Sequence, residues 1–316
     1  MMEASTTTVR GDAQTPQPTE DKQQAEPSTR ASPPNDSSYE VTFKPGDKSD
    51  PRQWSNLRKW QILLVTLAAQ FWANAISAIY APSATGVAAD FGTSLTVARL
   101  PAAFYLYGLS AGPVITAPLS EDYGRWPIHV ICLAGLGLMQ IPCALTQSIV
   151  GLIIARFLAG AFAAATFNSI GMVSDMWEPE EQGWGVNSFA FAAETGAGIA
   201  PVFAGYLFVN AGWRWVFGVS GIVTGFLLLL FVATVPETRA GVLLEKRAKQ
   251  LRKQTGDSKW YTTHAREIEA HSTKSWFTEV LVRPLYMLFT EPIVASFAAF
   301  DGYVSHRISL LGGLCR

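Results

Sequence analysis

The chain has 316 residues, of which 49% are hydrophobic and 16% are charged, and its formal net charge at pH 7 is −1. This composition excludes a disordered polymer, a small disulfide-stabilised protein and a strongly basic nucleic-acid binder. The three cysteines, Cys132, Cys143 and Cys315, match neither a disulfide framework nor a metal-binding motif, so we expect no metal and no cofactor.

The charged residues are unevenly distributed along the chain. Between Gln61 and Val235, only 12 of 175 residues are Asp, Glu or Arg, and none is Lys. A soluble domain carries about a quarter of its residues as charged side chains, which keep its surface hydrated. The depleted stretch therefore indicates a region embedded in a membrane.

Six apolar segments within this region are long enough to cross a membrane. A hydrocarbon core of about 30 Å requires about 20 residues of helix. The segments are residues 60–81, 100–119, 127–145, 149–173, 184–209 and 215–235, numbered here as spans 1 to 6. Because the links between them are short, they predict one six-helix bundle over residues 59–235.

The segments outside the bundle differ in composition. Residues 1–58 are rich in Ser, Thr, Pro and Gln, which predicts a disordered tail because so little apolar surface cannot offset the entropy of ordering. Residues 236–283 form a polar, charged connector. Residues 284–316 contain the start of a seventh apolar span, followed by a short C-terminal stretch.

The basic residues predict the orientation of the bundle. Between residues 44 and 253, twelve Lys and Arg residues lie on the side that carries the tail and the connector, whereas the other side has only Arg99 and Arg214. Since Lys and Arg are enriched on the inner side of membranes, we expect the tail and connector to be cytoplasmic. The loop after span 4 is an exception, because its four acids lack a basic partner there: Asp175, Glu178, Glu180 and Glu181.

A short internal similarity is consistent with an inverted repeat. The link between spans 2 and 3 contains Gly124-Arg125-Trp126, and the link between spans 5 and 6 contains Gly212-Trp213-Arg214-Trp215. These links occupy equivalent positions in two three-helix groups and lie on opposite faces of the membrane, as an inverted repeat requires. Interfacial Trp and Arg could also produce so short a match by chance.

Two charged residues lie within the predicted spans. Arg156 is about seven residues into span 4, and Glu194 is about ten residues into span 5. A charge at such a depth costs from about 3 to more than 10 kcal/mol, so it normally has a partner or a cavity. We expect Glu194 to be a protonatable carboxylate and Arg156 to belong to a polar cavity. A static ion pair between adjacent helices, or a misplaced helix start, would also explain them.

Span 5 places its acid among small residues. Gly198, Pro201 and Gly205 follow Glu194 by 4, 7 and 11 positions, which puts all four on one helical stripe. Small residues permit close helix approach, and a proline removes one backbone hydrogen bond. The stripe predicts a flexible functional face, with a helix-packing seam as the alternative.

Spans 1 and 2 carry further small or polar side chains. Gln70, Asn74 and Ser77 form a polar stripe in span 1, which should face a substrate cavity or another helix because lipid offers amides no hydrogen bonds. Gly108 and Gly112 in span 2 favour a packing face.

Span 6 raises a remote alternative. Ser220 lies in a Gly-Val-Ser-Gly run, a setting that resembles intramembrane serine proteases. Such a nucleophile needs a base within hydrogen-bond reach. No histidine lies in the middle of an assigned span, so a hydrolase is the least favoured hypothesis.

Several motifs together form a recognisable pattern. They are residues 50–55 with 58–60, residues 90–92, the loop signature in residues 118–125 with Glu121, Asp122, Gly124 and Arg125, residues 156–160, residues 198–205, residues 213–215 and residues 236–238. In combination they resemble the major facilitator superfamily, and specifically its fungal drug:proton antiporter group. Gly198, Pro201 and Gly205 match the antiporter signature of span 5.

This resemblance implies a fold and a transport mechanism. It implies an all-α membrane protein with the six-helix N-terminal half of a major facilitator fold, a 3+3 inverted repeat, plus the start of a seventh span. The connector would join two halves that bind substrate between them. The loop between spans 2 and 3 would contact the other half in the closed state.

The chain also departs from the family pattern. Asp122 and Trp126 stand where the loop signature usually has basic residues, and Ala200 and Ala204 stand where the antiporter signature normally has glycine. Only 33 residues follow the connector, and those from Asp301 onward no longer resemble the family. The sequence therefore suggests a truncated or altered gene product.

The resulting hypothesis is a proton-coupled exporter of a small organic molecule, with Glu194 exchanging protons and Arg156 tuning its pKa or meeting substrate. Its expected partners are a small-molecule substrate, protons and membrane lipid, and it could require the missing half or a partner subunit. We expect a multi-pass protein, in the plasma membrane, that is not an enzyme. The alternative is a non-transporting fragment that acts only through a partner protein.

Overall fold

The computed structural model describes residues 39–44, 46–257, 259–265, 286, 290–293 and 295–296. Nine α-helices lie within these residues: α1 (Asn56–Ala78), α2 (Ala84–Phe91), α3 (Leu95–Asp122), α4 (Arg125–Leu145), α5 (Ile149–Ala163), α6 (Ser169–Met176), α7 (Gln182–Ala211), α8 (Trp213–Thr234) and α9 (Ala240–Thr255). The predicted seventh span falls almost wholly outside the described residues.

Six helical stretches of the described chain are long and apolar enough to cross a membrane. They are span 1 (Asn56–Phe91), span 2 (Leu95–Asp122), span 3 (Arg125–Leu145), span 4 (Ile149–Met176), span 5 (Gln182–Ala211) and span 6 (Trp213–Thr234). Their number and order confirm the prediction of an all-helical membrane protein. Spans 1, 3 and 5 begin at what we call the near face, and spans 2, 4 and 6 begin at the far face.

Spans 1 and 4 are each interrupted before they end. The 3₁₀ turn Ala81–Ser83 separates α1 from α2, and Pro82 within it has no N–H to donate to a continuous helix. The 3₁₀ segment Ala164–Asn168 separates α5 from α6. In that segment, the Thr166 hydroxyl donates to the Ala163 carbonyl at 2.8 Å, a local bond that competes with helical geometry. Both spans therefore extend beyond the predicted ends at residues 81 and 173.

Glycines allow spans 2 and 4 to make the most extensive helix contact of the bundle. A Cβ on Gly108 would overlap the Phe157 carbonyl, and a Cβ on Gly160 would overlap the Tyr105 carbonyl. The two backbones thus meet without intervening side chains. This arrangement agrees with the predicted packing role of Gly108 and Gly112.

Spans 1 and 5 pack together through a different set of small residues. A Cβ on Gly196 would overlap the Phe71 carbonyl, while Ala200 and Ala204 are 6% and 0% exposed in the same core cluster as Ala73. The alanines that replace the glycines of the family signature therefore fit into this contact.

The pairing of the spans is itself symmetric. Besides the contacts of span 2 with span 4 and span 1 with span 5, span 3 packs against span 6. Exchanging spans 1, 2 and 3 with spans 4, 5 and 6 leaves this pattern of partners unchanged. The two eight-residue helices α2 and α6, which end spans 1 and 4, occupy equivalent positions. A 3+3 inverted repeat has this arrangement.

The segment before span 1 is ordered against the connector. The backbone N–H of Val41 donates to the Tyr261 carbonyl at 3.0 Å, and the Tyr39 ring lies 5.6 Å from that of Trp260. Asp47 forms an ion pair with Arg247 of α9. The backbone N–H of Ser49 and this guanidinium hold the pKa of Asp47 below its usual value.

These contacts correct the prediction of a disordered tail over residues 1–58. Residues 1–38 lie outside the described residues, whereas Tyr39, Val41 and Asp47 have defined partners. The partners lie about 200 residues away in sequence, at Arg247 and Tyr261, so local composition could not indicate them.

The close approach of spans 2 and 4 predicts a position-specific cost of adding one methyl group. We expect Gly160→Ala to lower the stability of the detergent-solubilised chain by about 1–3 kcal/mol, because the added Cβ would force the helices apart. Gly198→Ala is the matched control, since its Cβ would meet no atom within 4 Å and alanine favours helix. Thermal unfolding would measure both, and equal melting temperatures for the two variants would contradict the described contact.

Candidate functional site

A buried arginine organises the near face between spans 2 and 3. Arg125 is the first residue of α4, and its Nε lies 3.3 Å from Asp175 Oδ2 at the end of span 4. Its Nη1 donates to Ser120 Oγ at 2.8 Å, and its Nη2 lies 3.6 Å from Glu121 Oε1. Glu121 and Arg125 of the predicted loop signature, which flank Gly124 in sequence, therefore form an ion pair. Arg125 also links this loop to Asp175 of span 4.

A carboxylate from the connector caps the same helix. The backbone N–H groups of Arg125 and Trp126 donate to Glu237 at 3.0 and 3.2 Å, and those of Thr238 and Arg239 donate to Glu237 Oε1 at 2.9 Å each. A carboxylate at this position accepts hydrogen bonds from the free N–H groups at the start of the helix. Its negative charge also interacts favourably with the positive end of the helix dipole. A Cβ on Gly124 would overlap this carboxylate.

Sequence reasoning assigned no role to Glu237. The available signal was an acid immediately after span 6, within the motif Pro236-Glu237-Thr238, but its partner is more than 100 residues away. Arg239 completes the arrangement, because its Nη1 lies 3.5 Å from Asp175 Oδ1. Span 3, span 4 and the connector are thereby joined at one point.

The far face carries a corresponding arrangement. Asp90 Oδ2 accepts hydrogen bonds from Arg214 Nη1 at 2.7 Å and from Trp213 Nε1 at 2.8 Å. Asp90 and Arg214 are 44% and 46% exposed, in contrast to 8% and 6% for the side chains of Asp175 and Arg125. The far ion pair is therefore solvated, whereas the near pair is buried.

The two ion pairs occupy equivalent positions of the inverted repeat. Asp90 and Asp175 are each the penultimate residue of an eight-residue helix that ends its span. Each pairs with an arginine near the start of the last span of the other three-helix group, Asp90 with Arg214 and Asp175 with Arg125. Each arginine follows a glycine with positive φ, Gly212 at 85° and Gly124 at 110°. The short sequence similarity between the two links thus reflects the three-dimensional symmetry.

Asp122 takes a different position from the other members of the loop signature. It is the last residue of α3 and lies with Tyr123 along a groove of about 400 Å³. The opposite wall of this groove is formed by α9 with Glu245, Lys246 and Lys249. Asp122 therefore borders the connector helix.

Arg156 is enclosed in the interior of the bundle without an acidic partner among the described residues. Its side chain is fully buried, and its Nη2 donates to the Ile76 carbonyl at 3.2 Å. The guanidinium carbon lies 4.5, 5.3 and 5.5 Å from the ring centroids of Tyr105, Tyr80 and Phe217. Cation–π contacts with three rings can stabilise a charge where water is excluded. Its Nε and Nη1 have no hydrogen-bond acceptor within the described structure.

The polar stripe of span 1 divides into two parts. Gln70 is fully buried, and neither of its amide atoms has a hydrogen-bond partner in the described chain. Asn74 and Ser77 are half-buried and donate to carbonyls of their own helix, those of Gln70 and Asn74, at 3.0 and 2.6 Å. Gln70 thus faces the bundle interior, while a cavity-lining role for Asn74 and Ser77 stays a prediction.

Glu194 lies on a face of span 5 that the bundle does not cover. Glu194 and Gly198 are exposed, and a Cβ on Gly198 would meet nothing within 4 Å. Pro201 and Gly205 are half-buried. The residues that contact span 1 lie elsewhere on the helix, at 196, 200 and 204. The stripe that contains Glu194 is therefore not the seam that packs spans 1 and 5.

The two charges within the spans are separate in this structure. Gly196, two residues beyond Glu194, contacts Phe71 of span 1, whereas Arg156 reaches Ile76. Spans 1 and 5 both begin at the near face, Glu194 precedes Gly196 by two residues, and Ile76 follows Phe71 by five. With a rise of 1.5 Å per residue, Glu194 therefore lies about 10 Å nearer the near face than the Ile76 carbonyl. The described structure contains no ion pair between Glu194 and Arg156, so the alternative of a static pair is not supported.

The geometry around Ser220 does not favour a hydrolase. Its Oγ donates to the Val216 carbonyl of its own helix at 2.6 Å. His129 lies elsewhere, with Nε2 3.1 Å from Ser169 Oγ and Nδ1 2.9 Å from the Arg125 carbonyl. Ser220 thus has no histidine base within reach in the described residues.

Comparisons with known proteins agree on one family. A family model described as Major Facilitator Superfamily matches residues 63–311. The chain is 34% identical over 258 residues to the major facilitator superfamily multidrug transporter mdrA of Aspergillus fumigatus, covering 81% of this chain and 42% of that protein. It is 29% identical over 262 residues to the efflux pump radE of Floropilus chiversii, covering 82% and 48%. The chain spans about half the length of these curated relatives.

A solved structure shares the fold. The proton:xylose symporter XylE bound to 6-bromo-6-deoxy-D-glucose matches with a TM-score of 0.54 and 15% sequence identity, covering 78% of this chain and 57% of that one. At this identity the similarity concerns the helical arrangement alone.

The difference in burial between the two ion pairs predicts unequal contributions to stability. We expect Asp175→Asn to lower the free energy of unfolding by about 3 kcal/mol, because it removes the buried carboxylate beside Arg125 and leaves this buried guanidinium with only the exposed Glu121. Asp90→Asn should cost about 1 kcal/mol or less, because solvent screens that pair. Thermal unfolding in detergent would compare them, and an equal or larger effect of Asp90→Asn would contradict this assignment.

Proposed function

The chain belongs to the major facilitator superfamily, and from this membership we propose that it forms the N-terminal half of a secondary transporter that exports a small organic molecule in exchange for protons. The observation that carries the proposal is the position of Glu194. It is an acid well inside a membrane span, on a face that the six helices leave open.

The depth of Glu194 makes a lipid-facing position unfavourable. It is the 13th of 30 residues in α7, about 18 Å along the helix from its start. An ionised carboxylate at this depth needs water or an oppositely charged partner, and without either the group takes up a proton. The open face would therefore line an aqueous pathway or contact the second half, where a carboxyl group can take up and release a proton.

Arg156 has a separate role in this proposal. Its enclosure by Tyr80, Tyr105 and Phe217 places a fixed positive charge between spans 1, 2, 4 and 6. Direct tuning of Glu194 by contact would require a different conformation, because the two groups lie at different depths. We propose instead that the unpaired Nε and Nη1 donors meet an acceptor group of the substrate when the bundle rearranges.

The second half, the substrate class and the orientation are parts of the same proposal. The relatives of about twice this length include a multidrug transporter and an efflux pump, which supports a small organic substrate and outward transport. The basic residues before span 1 and in α9 support a cytoplasmic near face. We place the complete transporter in the plasma membrane.

A second candidate function is a fragment that acts through a partner membrane protein. The open face of span 5 favours it as well, because a partner subunit could cover Glu194 and Gly198 as the second half would. Affinity purification of the 316-residue chain distinguishes the two: a stoichiometric second membrane protein supports the partner, and its absence supports the transporter half.

Neutralising Glu194 should abolish proton-driven transport. In a version of the chain extended by the second six-helix half and reconstituted in liposomes, we expect Glu194→Gln to reduce proton-gradient-driven flux of a fluorescent multidrug probe to the level of protein-free liposomes. The amide has the size of the carboxyl group but cannot exchange the proton. Internal pH and probe fluorescence, recorded together, measure the coupling.

The matched control is Asp257→Asn, an acid beyond α9 and outside the spans. It should leave the flux unchanged. Coupled flux through Glu194→Gln at the unsubstituted rate would remove Glu194 from the mechanism.

A further inference from the structure

The acidic loop after span 4 is only partly neutralised in the folded chain. Asp175 pairs with Arg125 and Arg239, and Glu178 Oε1 lies 3.8 Å from Arg52 Nη1. Glu180 and Glu181 are exposed and form no ion pair within the described residues. Among the described residues, these two negative charges therefore have no ion-pair partner at the near face, where basic residues otherwise predominate.

These two acids border a cavity whose other walls are aromatic. The cavity has a volume of about 350 Å³ and lies where spans 1 and 5 begin. Its lining consists of Trp60, Leu63, Trp177, Glu180, Glu181, Trp184 and Gly185. It thus combines three indole rings with two carboxylates, and none of the described lining residues is basic.

The indoles differ in how firmly the fold holds them. Trp177 is 9% exposed, and its ring meets that of Trp60 edge-on, with centroids 6.0 Å apart and planes at 70°. Trp60 is 43% exposed and Trp184 is 77% exposed. The cavity therefore has one buried indole, Trp177, a partly exposed indole in edge contact with it, Trp60, and a third indole, Trp184, that is mostly exposed.

One of these rings already lies close to a cation. Lys59 Nζ is 5.7 Å from the Trp177 ring centroid and donates to the Arg52 carbonyl at 2.8 Å. Lys59 does not line the cavity. Its position indicates that the Trp177 environment tolerates a positive charge next to the ring.

We propose that this cavity binds an organic cation through a quaternary ammonium group. The negative faces of aromatic rings attract such groups, which cannot donate hydrogen bonds and are weakly hydrated. Glu180 and Glu181 add the opposite charge. A volume of about 350 Å³ is at the lower end of the usual range for ligand pockets, about 300–1,000 Å³, which suits a headgroup or a compact cation.

An ordinary aromatic belt explains less of this arrangement. Tryptophans are enriched at membrane interfaces because one edge is polar. Belt residues do not require a cavity, a buried ring or two unpaired carboxylates, whereas each of these features favours binding of an organic cation. The site is independent of proton coupling, since neither Glu194 nor Arg156 lines it.

The ammonium group could come from two sources with the same chemistry. One is a free organic cation in the aqueous phase at the near face. The other is the choline headgroup of a membrane lipid, since the cavity lies at the ends of the spans. Binding measured in bilayers with and without choline lipids separates them.

Binding can be measured on the full chain without any transport assay. We would reconstitute it in nanodiscs of phosphatidylglycerol, which contain no choline, and titrate choline by saturation-transfer NMR. The comparison ligand is 3,3-dimethylbutan-1-ol, which has the shape of choline but no charge. We expect choline to bind at least about tenfold more tightly than the alcohol.

The variants test which side chains provide the site. Glu180→Gln combined with Glu181→Gln should weaken choline binding about tenfold, equivalent to about 1.4 kcal/mol. Trp184→Leu should weaken it severalfold. All three positions are exposed, so the variants should fold normally. The matched controls are Glu178→Gln, in the same loop but paired with Arg52, and Trp215→Leu, an exposed tryptophan at the far face.

Each outcome has a defined meaning. Equal binding of choline and the neutral alcohol, or unchanged binding in the Glu180/Glu181 and Trp184 variants, would overturn the proposal. If the proposal holds, repeating the titration in phosphatidylcholine nanodiscs identifies the source. Weaker apparent choline affinity there assigns the site to the lipid headgroup, and unchanged affinity assigns it to a free cation.

Discussion

The cost of placing a charge in hydrocarbon determines where this chain can put its ionisable groups. Most charges of the membrane region lie at helix ends, where Asp90 meets Arg214 and Asp175 meets Arg125. Two do not. Arg156 is stabilised by three aromatic rings and a backbone carbonyl instead of a carboxylate, and Glu194 lies on an uncovered face. The molecule therefore stabilises one of these charges within its own bundle and leaves the other on a face that the described helices do not cover.

Close helix contacts determine which faces stay open. Glycine brings spans 2 and 4 together at Gly108 and Gly160, and span 5 meets span 1 at Gly196 with Ala200 and Ala204 beside it. These contacts use one side of span 5 and leave the side with Glu194 free. At the near face, Glu237 and Arg125 join the connector to the same scaffold. The inverted repeat thus fixes both the ion pairs and the open face.

The sequence was sufficient for the features that depend on composition and on helical period. The six spans, the glycine contact of span 2 and the exceptional position of two charges all follow from residue type and spacing. Helical spacing places Glu194, Gly198, Pro201 and Gly205 on one stripe, but it does not say whether that stripe or the one containing Gly196 meets span 1. Only the three-dimensional partners decide between them.

Long-range contacts account for most of what sequence reasoning missed. The cap that Glu237 provides, the rings around Arg156 and the order of residues after Tyr39 each depend on partners that are tens to hundreds of residues away. The 3₁₀ segment in span 4 also lacked a signal, because it contains no proline or glycine. By contrast, Pro82 marks the corresponding break in span 1.

The face of span 5 around Glu194 should be open to water and should not face lipid. The most direct measurement is labelling of Glu194→Cys in membranes with a charged, membrane-impermeant thiol reagent, in a background where Cys132, Cys143 and Cys315 are replaced by alanine. Leu229→Cys, at a position 71% exposed on span 6, is the lipid-facing control. We predict that the cysteine at position 194 reacts with the charged reagent and that the one at 229 reacts only with a lipid-soluble maleimide. Reaction of position 194 with the lipid-soluble reagent alone would contradict the account.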